Sequence, residues 1–215
     1  MNKKLDVAVI GAGFAGIGAG IKLKQKGSVS FKIFERSHDV GGTWRDNTYP
    51  GCACDIPSNL YSYSFEPNPE WSKAFSPHYE IHDYLKHCVS KYNVKEHIQF
   101  NTEITKTFFD ESNGYWNIID AEGNRYLARV VISASGPLNK PLYPNINGLD
   151  SFKGESFHSL YWNHEYDLKG KKVAVIGTGA SAIQFVPEVA KEAEQLTVFQ
   201  RTAPWIERKF DKENS

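Results

Sequence analysis

Short apolar runs alternate with helix-spaced apolar positions along this chain, and two of those runs stop at glycines. Residues 5–10 are predominantly apolar, as expected for a buried parallel strand, and residues 14–26 show a helical spacing that Gly27 ends. Residues 30–34 give the next strand. The order of strand, glycine loop, helix and strand predicts a Rossmann-like α/β unit.

The same pattern returns near the carboxyl end of the chain. Residues 172–176 predict a strand, 180–194 a helix and 196–199 a second strand. Pro187 lies inside that helix, and because proline lacks a backbone N–H we expect a kink there. The second pattern therefore predicts the start of another Rossmann-like unit.

The segment between the two patterns changes character along its length. Residues 37–77 are rich in glycine, proline, serine and aromatic residues and lack a helical period, which is typical of a functional loop region. A helix is predicted over 78–92, and prolines at 137, 141 and 144 indicate a connector. Three strand-like runs lie between this helix and the connector, at 98–109, 115–120 and 125–133.

Composition narrows the class of protein. The 215 residues are 40% hydrophobic and 23% charged, as in ordinary globular proteins. The 25 Lys and Arg balance 25 Asp and Glu, so no basic field exists to bind nucleic acid, and no run approaches the roughly 20 apolar residues of a membrane span. Three cysteines are too few for a disulfide framework. We therefore expect a cytoplasmic protein whose partners are small molecules.

Each glycine cluster fits the G-x-G-x-x-G/A fingerprint, in which glycines let a pyrophosphate approach a helix N-terminus. Glu35 follows the second strand of the first unit, where a carboxylate accepts hydrogen bonds from ribose hydroxyls. Arg201 follows the matching strand of the second unit, where a guanidinium can bind a 2′-phosphate. The first unit is thus predicted to bind FAD or NAD and the second NADP, which suggests a flavoprotein reduced by NADPH.

The domain prediction follows from these motifs. We predict an FAD-binding domain over 1–140 with a three-layer ββα-type sheet, a connector over 141–170, and part of an NADP-binding domain over 171–215. A mononucleotide-binding half needs three strands, and the second unit provides two. We therefore expect a fragment of a longer enzyme rather than a truncated product.

Two longer motifs carry a resemblance to a known family. Residues 41–55 read GGTWRDNTYPGCACD and fit G-G-x-W-x-x-x-x-Y-P-G-x-x-x-D. Residues 152–162 read FKGESFHSLYW and fit F-x-G-x-x-x-H-x-x-x-W. With both fingerprints in the same order, the chain resembles the Baeyer–Villiger monooxygenases, a branch of the class B flavin-dependent monooxygenases. The resemblance spans nearly the whole chain.

The resemblance implies roles for individual residues. Those implied to contact FAD are Gly11, Ala12, Gly13, Phe14, Ala15, Gly16, Glu35, Arg36, Gly42, Thr43, Trp44, Asp46, Asp55, Ile56, Tyr61 and Ile104. Those implied to contact NADP are Gly177, Thr178, Gly179, Ala180, Ser181, Ala182, Ile183, Arg201 and Thr202. The residues implied to form a hinge between domains are Phe152, Gly154, His158 and Trp162. Asp55, near the junction of flavin and nicotinamide, is the candidate catalytic residue, and no metal site is expected.

The implied reaction inserts one oxygen atom of O2 into a ketone to give an ester or lactone, with NADPH and FAD as cofactors. The family's catalytic arginine and much of its substrate pocket come from a later segment, so the ketone and the oligomeric state stay open. Two alternatives remain: a related flavin-containing monooxygenase that oxygenates nitrogen or sulfur, and a non-catalytic FAD- and NADP-binding remnant. Trp162 favours the Baeyer–Villiger branch over the first of these.

Each assigned residue also has a structural interpretation. The glycines could serve turns alone, and Trp44 and Trp162 could belong to the core. Asp55 could cap a helix, and His158 could be a structural histidine. The pair Cys52 and Cys54 lacks the Cys-x-x-Cys spacing of flavin disulfide reductases, so we interpret these thiols as packing groups.

Overall fold

The computed structural model describes residues 4–207 and 209–211, and these contain both α-helices and β-strands. The strands are β1 Lys4–Ile10, β2 Phe31–Phe34, β3 Ile98–Gln99, β4 Ile104–Asp110, β5 Tyr115–Asp120, β6 Arg125–Ser133, β7 Lys172–Ile176 and β8 Gln195–Phe199. The α-helices are α1 Phe14–Lys26, α2 Thr43–Asp46, α3 His78–Lys91 and α4 Ala180–Val189.

The chain divides into two compact units. The first contains the residues up to Arg45 together with His82–Asn139, and the second contains Asp46–Ile81 together with the chain from Lys140 onward. The loop region after α2 thus groups with the second strand pair. The functional division at 1–140, 141–170 and 171–215 stays a prediction, and residues 1–3, 208 and 212–215 lie outside the described part of the chain.

The first unit is built on a mixed sheet of six strands in the order β3-β2-β1-β6-β5-β4. Strands β3, β2, β1 and β6 are parallel neighbours, whereas β6, β5 and β4 form an antiparallel meander. Val9 pairs with Ile33 on one side and with Ile132 on the other, which places β1 between two parallel neighbours. The predicted Rossmann-like α/β class is confirmed.

The predicted strand over 98–109 is two strands, because its halves occupy opposite edges of this sheet. β3 pairs with β2 at one edge, and β4 pairs with β5 at the other. Between them Asn101 has a φ of 52° and donates its N–H to the Ser37 carbonyl at 3.0 Å. The chain therefore leaves the sheet at a left-handed residue that the apolar pattern did not reveal.

The core of the first unit lies between α1 and the parallel strands. Ile17, Ile21 and Ile33 are fully buried. A Cβ added to Gly20 would lie 2.6 Å from Ile33 Cδ1 and 3.1 Å from Val94 Cγ1, so a larger residue there would require these buried side chains to shift. Gly20 thereby allows α1 to pack closely on the sheet.

The second unit contains a parallel pair, β7 and β8, connected by α4. The helix ends at Val189 rather than at 194, because the chain already turns toward β8: Glu194 N–H donates to the Lys171 carbonyl at 3.0 Å. Pro187 lies inside the last turn of the helix. The missing proline N–H leaves one helical hydrogen bond unmade, and the helix ends two residues later.

Candidate dinucleotide-binding sites

The first glycine loop is fixed by the backbone around it. Gly11 has a φ of 101°, and a Cβ there would lie 2.5 Å from the Ala134 carbonyl oxygen. A Cβ on Gly16 would lie 1.8 Å from the Gly11 carbonyl oxygen. These two glycines are therefore required by the tight turn from β1 into α1, whether or not a ligand is bound.

Gly13 differs from its two neighbours because the fold leaves space beside it. A Cβ there would meet nothing closer than the Cα of Gly42, at 3.9 Å. Gly13 is also the N-cap of α1, and no side chain caps this helix. An uncapped N-terminus presents backbone N–H groups and the positive end of the helix dipole, so the geometry suits an anion such as a pyrophosphate.

Glu35 links the end of β2 to this loop. It is 4% exposed, and its carboxylate accepts hydrogen bonds from Ala12 N–H at 2.8 Å, Ser37 N–H at 3.0 Å and Arg45 Nη1 at 3.2 Å. A carboxylate has about four acceptor positions, so one remains for a ribose hydroxyl. Glu35 thus holds the glycine loop in addition to the predicted ribose contact.

Arg45 is a residue that the sequence reasoning missed. Its side chain is 10% exposed, and it pairs with Glu35 and also donates to the Asp39 carbonyl. It occupies a variable position of the glycine-rich motif over residues 41–55, so the motif gave no signal for it. Arg36, which was assigned to the cofactor, is exposed and donates to the Asn139 carbonyl at 3.1 Å.

Other residues predicted to contact FAD have packing contacts within the first unit. The Phe14 ring stacks on Tyr84 with centroids 6.1 Å apart. Ile104 packs against the apolar cluster beneath β1, which includes Ile118. Ala15 and Thr43 are exposed, and Trp44 is half-buried. The Phe14 and Ile104 side chains therefore contribute to packing, whereas Ala15 and Thr43 remain accessible.

In the second glycine loop, Gly177 and Gly179 both lie beside open space, as Gly13 does in the first loop. Gly177 has a φ of 108°, and its N–H donates to the Phe199 carbonyl at 2.9 Å, which ties the loop to the end of β8. Among the described residues, apart from the chain neighbours, no atom lies within 4 Å of a Cβ built on Gly177 or Gly179, and Gly179 caps α4 without a side-chain bond. This helix N-terminus therefore also suits a pyrophosphate.

The remaining residues of the second fingerprint divide by exposure. Ala182 is buried in the core of the second unit, whereas Ile183 is 45% exposed. Those that are exposed or half-buried near the N-terminus of α4 are Thr178, Ala180 and Ser181. Arg201 and Thr202 are exposed and follow the carboxyl end of β8, where a Rossmann unit meets an adenosine ribose.

Four residues predicted to contact FAD belong to the second compact unit: Asp46, Asp55, Ile56 and Tyr61. Asp55 is exposed, and its Oδ1 accepts a hydrogen bond from Gln184 Nε2 at 2.7 Å. Ile56 is largely exposed, and Tyr61 is half-buried, where desolvation raises the pKa of its hydroxyl. Asp55 does not cap the short helical turn Ser58–Leu60, because the N-cap of that turn is Pro57 and no side chain bonds to it.

The connector motif packs within the second unit. The Trp162 ring lies 5.2 Å from Phe185 of α4, between centroids, and 5.3 Å from Phe157. His158 Nδ1 accepts the Leu160 N–H at 3.1 Å and so caps the short turn Ser159–Tyr161. Phe152 is exposed, and its ring covers Gly154, where a Cβ would lie 2.6 Å from it. This geometry supports the structural interpretation of His158, while the hinge role stays a prediction.

In the part of the chain that the structure describes, no group of three or more His, Cys, Asp or Glu residues is placed to hold a metal ion. The cysteines at 52, 54 and 88 are free thiols in buried positions. None of the described helices combines the length and the apolar character needed to cross a membrane.

Fold and sites together define an α/β protein with two Rossmann-like units, each with a glycine loop at an uncapped helix N-terminus. The sequence matches the flavin-binding monooxygenase-like family over residues 3–214, so the chain belongs to that family. It is 53% identical over 206 residues to a Baeyer–Villiger monooxygenase of Pseudomonas aeruginosa, covering 96% of this chain and 39% of the relative. A Baeyer–Villiger monooxygenase of Streptomyces coelicolor is 48% identical over 212 residues, covering 99% and 41%.

Solved structures agree with this assignment. The crystal structure of OTEMO in complex with FAD and NADP has a TM-score of 0.93 and 38% identity, covering 100% of this chain and 42% of that one. An oxidized steroid monooxygenase bound to NADP has a TM-score of 0.90 and 38% identity, covering 99% and 42%. The chain spans about two fifths of the length of these relatives.

Proposed function

We propose that the chain is the dinucleotide-binding part of a Baeyer–Villiger monooxygenase, with FAD at the first glycine loop and NADPH at the second. The observation that carries this proposal is the 53% identity to such an enzyme across 96% of the chain. The reaction consumes a ketone, O2, NADPH and a proton and yields an ester or lactone, water and NADP+. A cytoplasmic location is part of the proposal, since the cysteines are free and buried.

The first site fits FAD in its shape and its polarity. Gly13 leaves open space at an uncapped helix N-terminus, where a pyrophosphate can accept backbone hydrogen bonds. Glu35 stands at the end of β2 with one acceptor position to spare for a ribose hydroxyl. When bound, FAD would supply the redox chemistry, namely hydride acceptance from NADPH and activation of O2.

The second site fits NADPH for parallel reasons. Gly179 leaves open space at the N-terminus of α4, and Arg201 follows the end of β8. A guanidinium at that position binds a 2′-phosphate and so favours NADPH over NADH. Asp55 would place a negative charge near the junction of the two cofactors, as the candidate catalytic residue.

A chimera tests this function. The corresponding 39% of the Pseudomonas aeruginosa relative is replaced by this chain, and a cyclic ketone and a thioether are supplied in separate reactions with NADPH. The proposal expects bound FAD, NADPH oxidation that depends on the ketone, and lactone as the product. Efficient sulfoxide formation without lactone would instead assign the nitrogen- and sulfur-oxygenating branch.

The 215-residue chain by itself answers a separate question. If purified material is yellow and has a bound-flavin spectrum but oxidises no NADPH, the chain is a binding module without catalysis. Substrate-dependent consumption of NADPH by this material would exclude that alternative. The absence of bound flavin in both the chain and the chimera would remove the proposed function itself.

A further inference from the structure

Gln184, on α4, uses every hydrogen-bonding position of its side-chain amide on one loop of the same compact unit. Its Oε1 accepts from Tyr49 Oη–H and from Ala53 N–H, both at 3.1 Å. Its Nε2 donates to the Ala53 carbonyl at 2.9 Å and to Asp55 Oδ1 at 2.7 Å. An amide offers two acceptor and two donor positions, so all four are occupied.

This pattern also fixes the orientation of the amide. Ala53 offers its N–H to the Gln184 oxygen and its carbonyl to the Gln184 nitrogen. Exchanging the oxygen and nitrogen would place donor against donor and acceptor against acceptor, so only one orientation satisfies the loop. The nitrogen consequently faces the Asp55 carboxylate, which is the stronger, charge-assisted bond of the four.

The loop that bonds to this amide also packs closely against α4. Gly51 has a φ of 76°, and a Cβ there would lie 2.8 Å from the Gln184 backbone oxygen. Next to it, Tyr49 and Cys52 are buried against Phe185 and other apolar residues of α4 and β7. The contact thus combines a glycine required for close approach, a buried cluster and a fully used amide.

We propose that Gln184 is a positioning residue that fixes the Asp55 carboxylate to the helix whose N-terminus forms the second dinucleotide site. The inference rests on the proposed function for the role of Asp55. The residues 177–183, assigned to NADP, stop immediately before it. Gln184 thereby fixes the position of the candidate catalytic carboxylate relative to α4, the helix proposed to bind the pyrophosphate.

The first test needs neither cofactor and uses the purified 215-residue chain. Gln184→Glu keeps an oxygen for Tyr49 and Ala53 but replaces the donor that faces Asp55 with a second carboxylate. Two carboxylates at that distance share a proton at low pH and repel once both are ionised. We expect the Tm of Gln184→Glu to fall by about 2–4 °C relative to wild type between pH 5 and 8.

The buried tyrosine and cysteine side chains around Asp55 stay neutral over that range. Burial raises the pKa of Tyr49 and of Tyr61, and raises that of Cys52 to about 11, so all three remain neutral. Lys209 donates to the Cys54 carbonyl at 2.8 Å, and Glu188 of α4 pairs with Lys191 at 2.6 Å. A pH-dependent loss that appears only in Gln184→Glu therefore reports the new pair of carboxylates.

Two further variants make the test specific. Asp55→Asn combined with Gln184→Glu restores a donor opposite an acceptor, and should abolish the pH-dependent loss of Tm. Tyr49→Phe removes a bond on the other side of the same amide, and should lower the Tm equally at every pH. A pH-independent Tm in Gln184→Glu, or a loss that Asp55→Asn does not rescue, would overturn the proposal. If Gln184→Glu alone does not fold, an unfolded double variant counts against the proposal and a folded one supports it.

A second test uses the chimera and measures the rate of flavin reduction by NADPH. Gln184→Leu should slow this rate about tenfold or more, as expected for loss of a hydrogen bond to a charged group. Adding Gln184→Leu to Asp55→Ala should slow it no further. Additive effects would contradict the positioning role. Absence of bound flavin in both the chimera and the 215-residue chain would refute the proposed function, while the pH test would still decide the inference.

Discussion

The Glu35 carboxylate accepts the backbone N–H of Ala12 at 2.8 Å, so the acid at the end of β2 is bonded directly to the glycine loop at the end of β1. Arg45 pairs with the same carboxylate at 3.2 Å, and both side chains are nearly buried. One side chain therefore fixes the position of the predicted ribose-binding residue relative to the glycine loop.

Removing this charge should weaken both the fold and the flavin site. Glu35→Gln keeps the size of the side chain but leaves the Arg45 guanidinium buried without its counter-ion, which is strongly destabilising. We expect a lower Tm and an FAD dissociation constant raised about tenfold or more. Thermal unfolding and flavin fluorescence measure these, and Glu111→Gln, at an exposed turn, is the control. Unchanged FAD affinity would show that Glu35 serves only the loop.

Substituting alanine for Gly13 and for Gly16 should show which of these glycines is needed for FAD binding and which is needed for folding. Gly16→Ala places a methyl group 1.8 Å from the Gly11 carbonyl oxygen, so this variant should fail to fold. Gly13→Ala meets only ordinary contacts, so it should unfold within a few degrees of wild type yet lose FAD. Circular dichroism and the flavin spectrum check both outcomes. Retention of FAD by Gly13→Ala would place the pyrophosphate elsewhere.

Arg201 should decide the choice of coenzyme. In the chimera, Arg201→Ala removes a charge-assisted bond worth about 1.5–3 kcal/mol, so the KM for NADPH should rise about tenfold or more while that for NADH changes little. Steady-state kinetics with each coenzyme measure this difference, with Arg125→Ala as an exposed arginine control in the first unit. An equal rise for both coenzymes would remove the 2′-phosphate contact.

The cysteines should behave as buried thiols. Burial raises the pKa of Cys52 from its ordinary 9.0 to about 11, and desolvation also raises that of Cys54. A raised folded pKa stabilises the fold below pH 9, and this stability is lost as pH rises toward 11. Thiol labelling at pH 8 should be slow in native protein and reach three groups only after unfolding. Rapid labelling of Cys52 would contradict its interpretation as a packing group.

Local patterns predicted most of the individual elements. The helix over 14–26 has the bounds the sequence indicated, because Gly27 adopts a φ of 75° and ends it. The strands over 115–120 and 125–133 also match their apolar runs. For these elements, the bounds predicted from neighbouring residues agree with the bounds in the folded structure.

The partners of the site residues were not predictable in this way. Arg45 occupies a variable motif position, and Gln184 follows the last fingerprint residue, so neither carried a local signal. Their importance arises from contacts with Glu35, ten positions away, and with Asp55, on a distant loop. Such contacts form only when the tertiary fold brings together residues that are distant in the sequence.

By itself the sequence determined where the two glycine loops fall, which charge follows each of them and which family the chain resembles, because glycine spacing and strand periodicity act over a few neighbouring residues. Only the tertiary structure decided that one apolar run is split between the two edges of the sheet, that Glu35 bonds the glycine loop and that Gln184 holds Asp55. These relationships depend on strand order and on side chains far apart in the chain, and the energies that select them appear only once the core has formed.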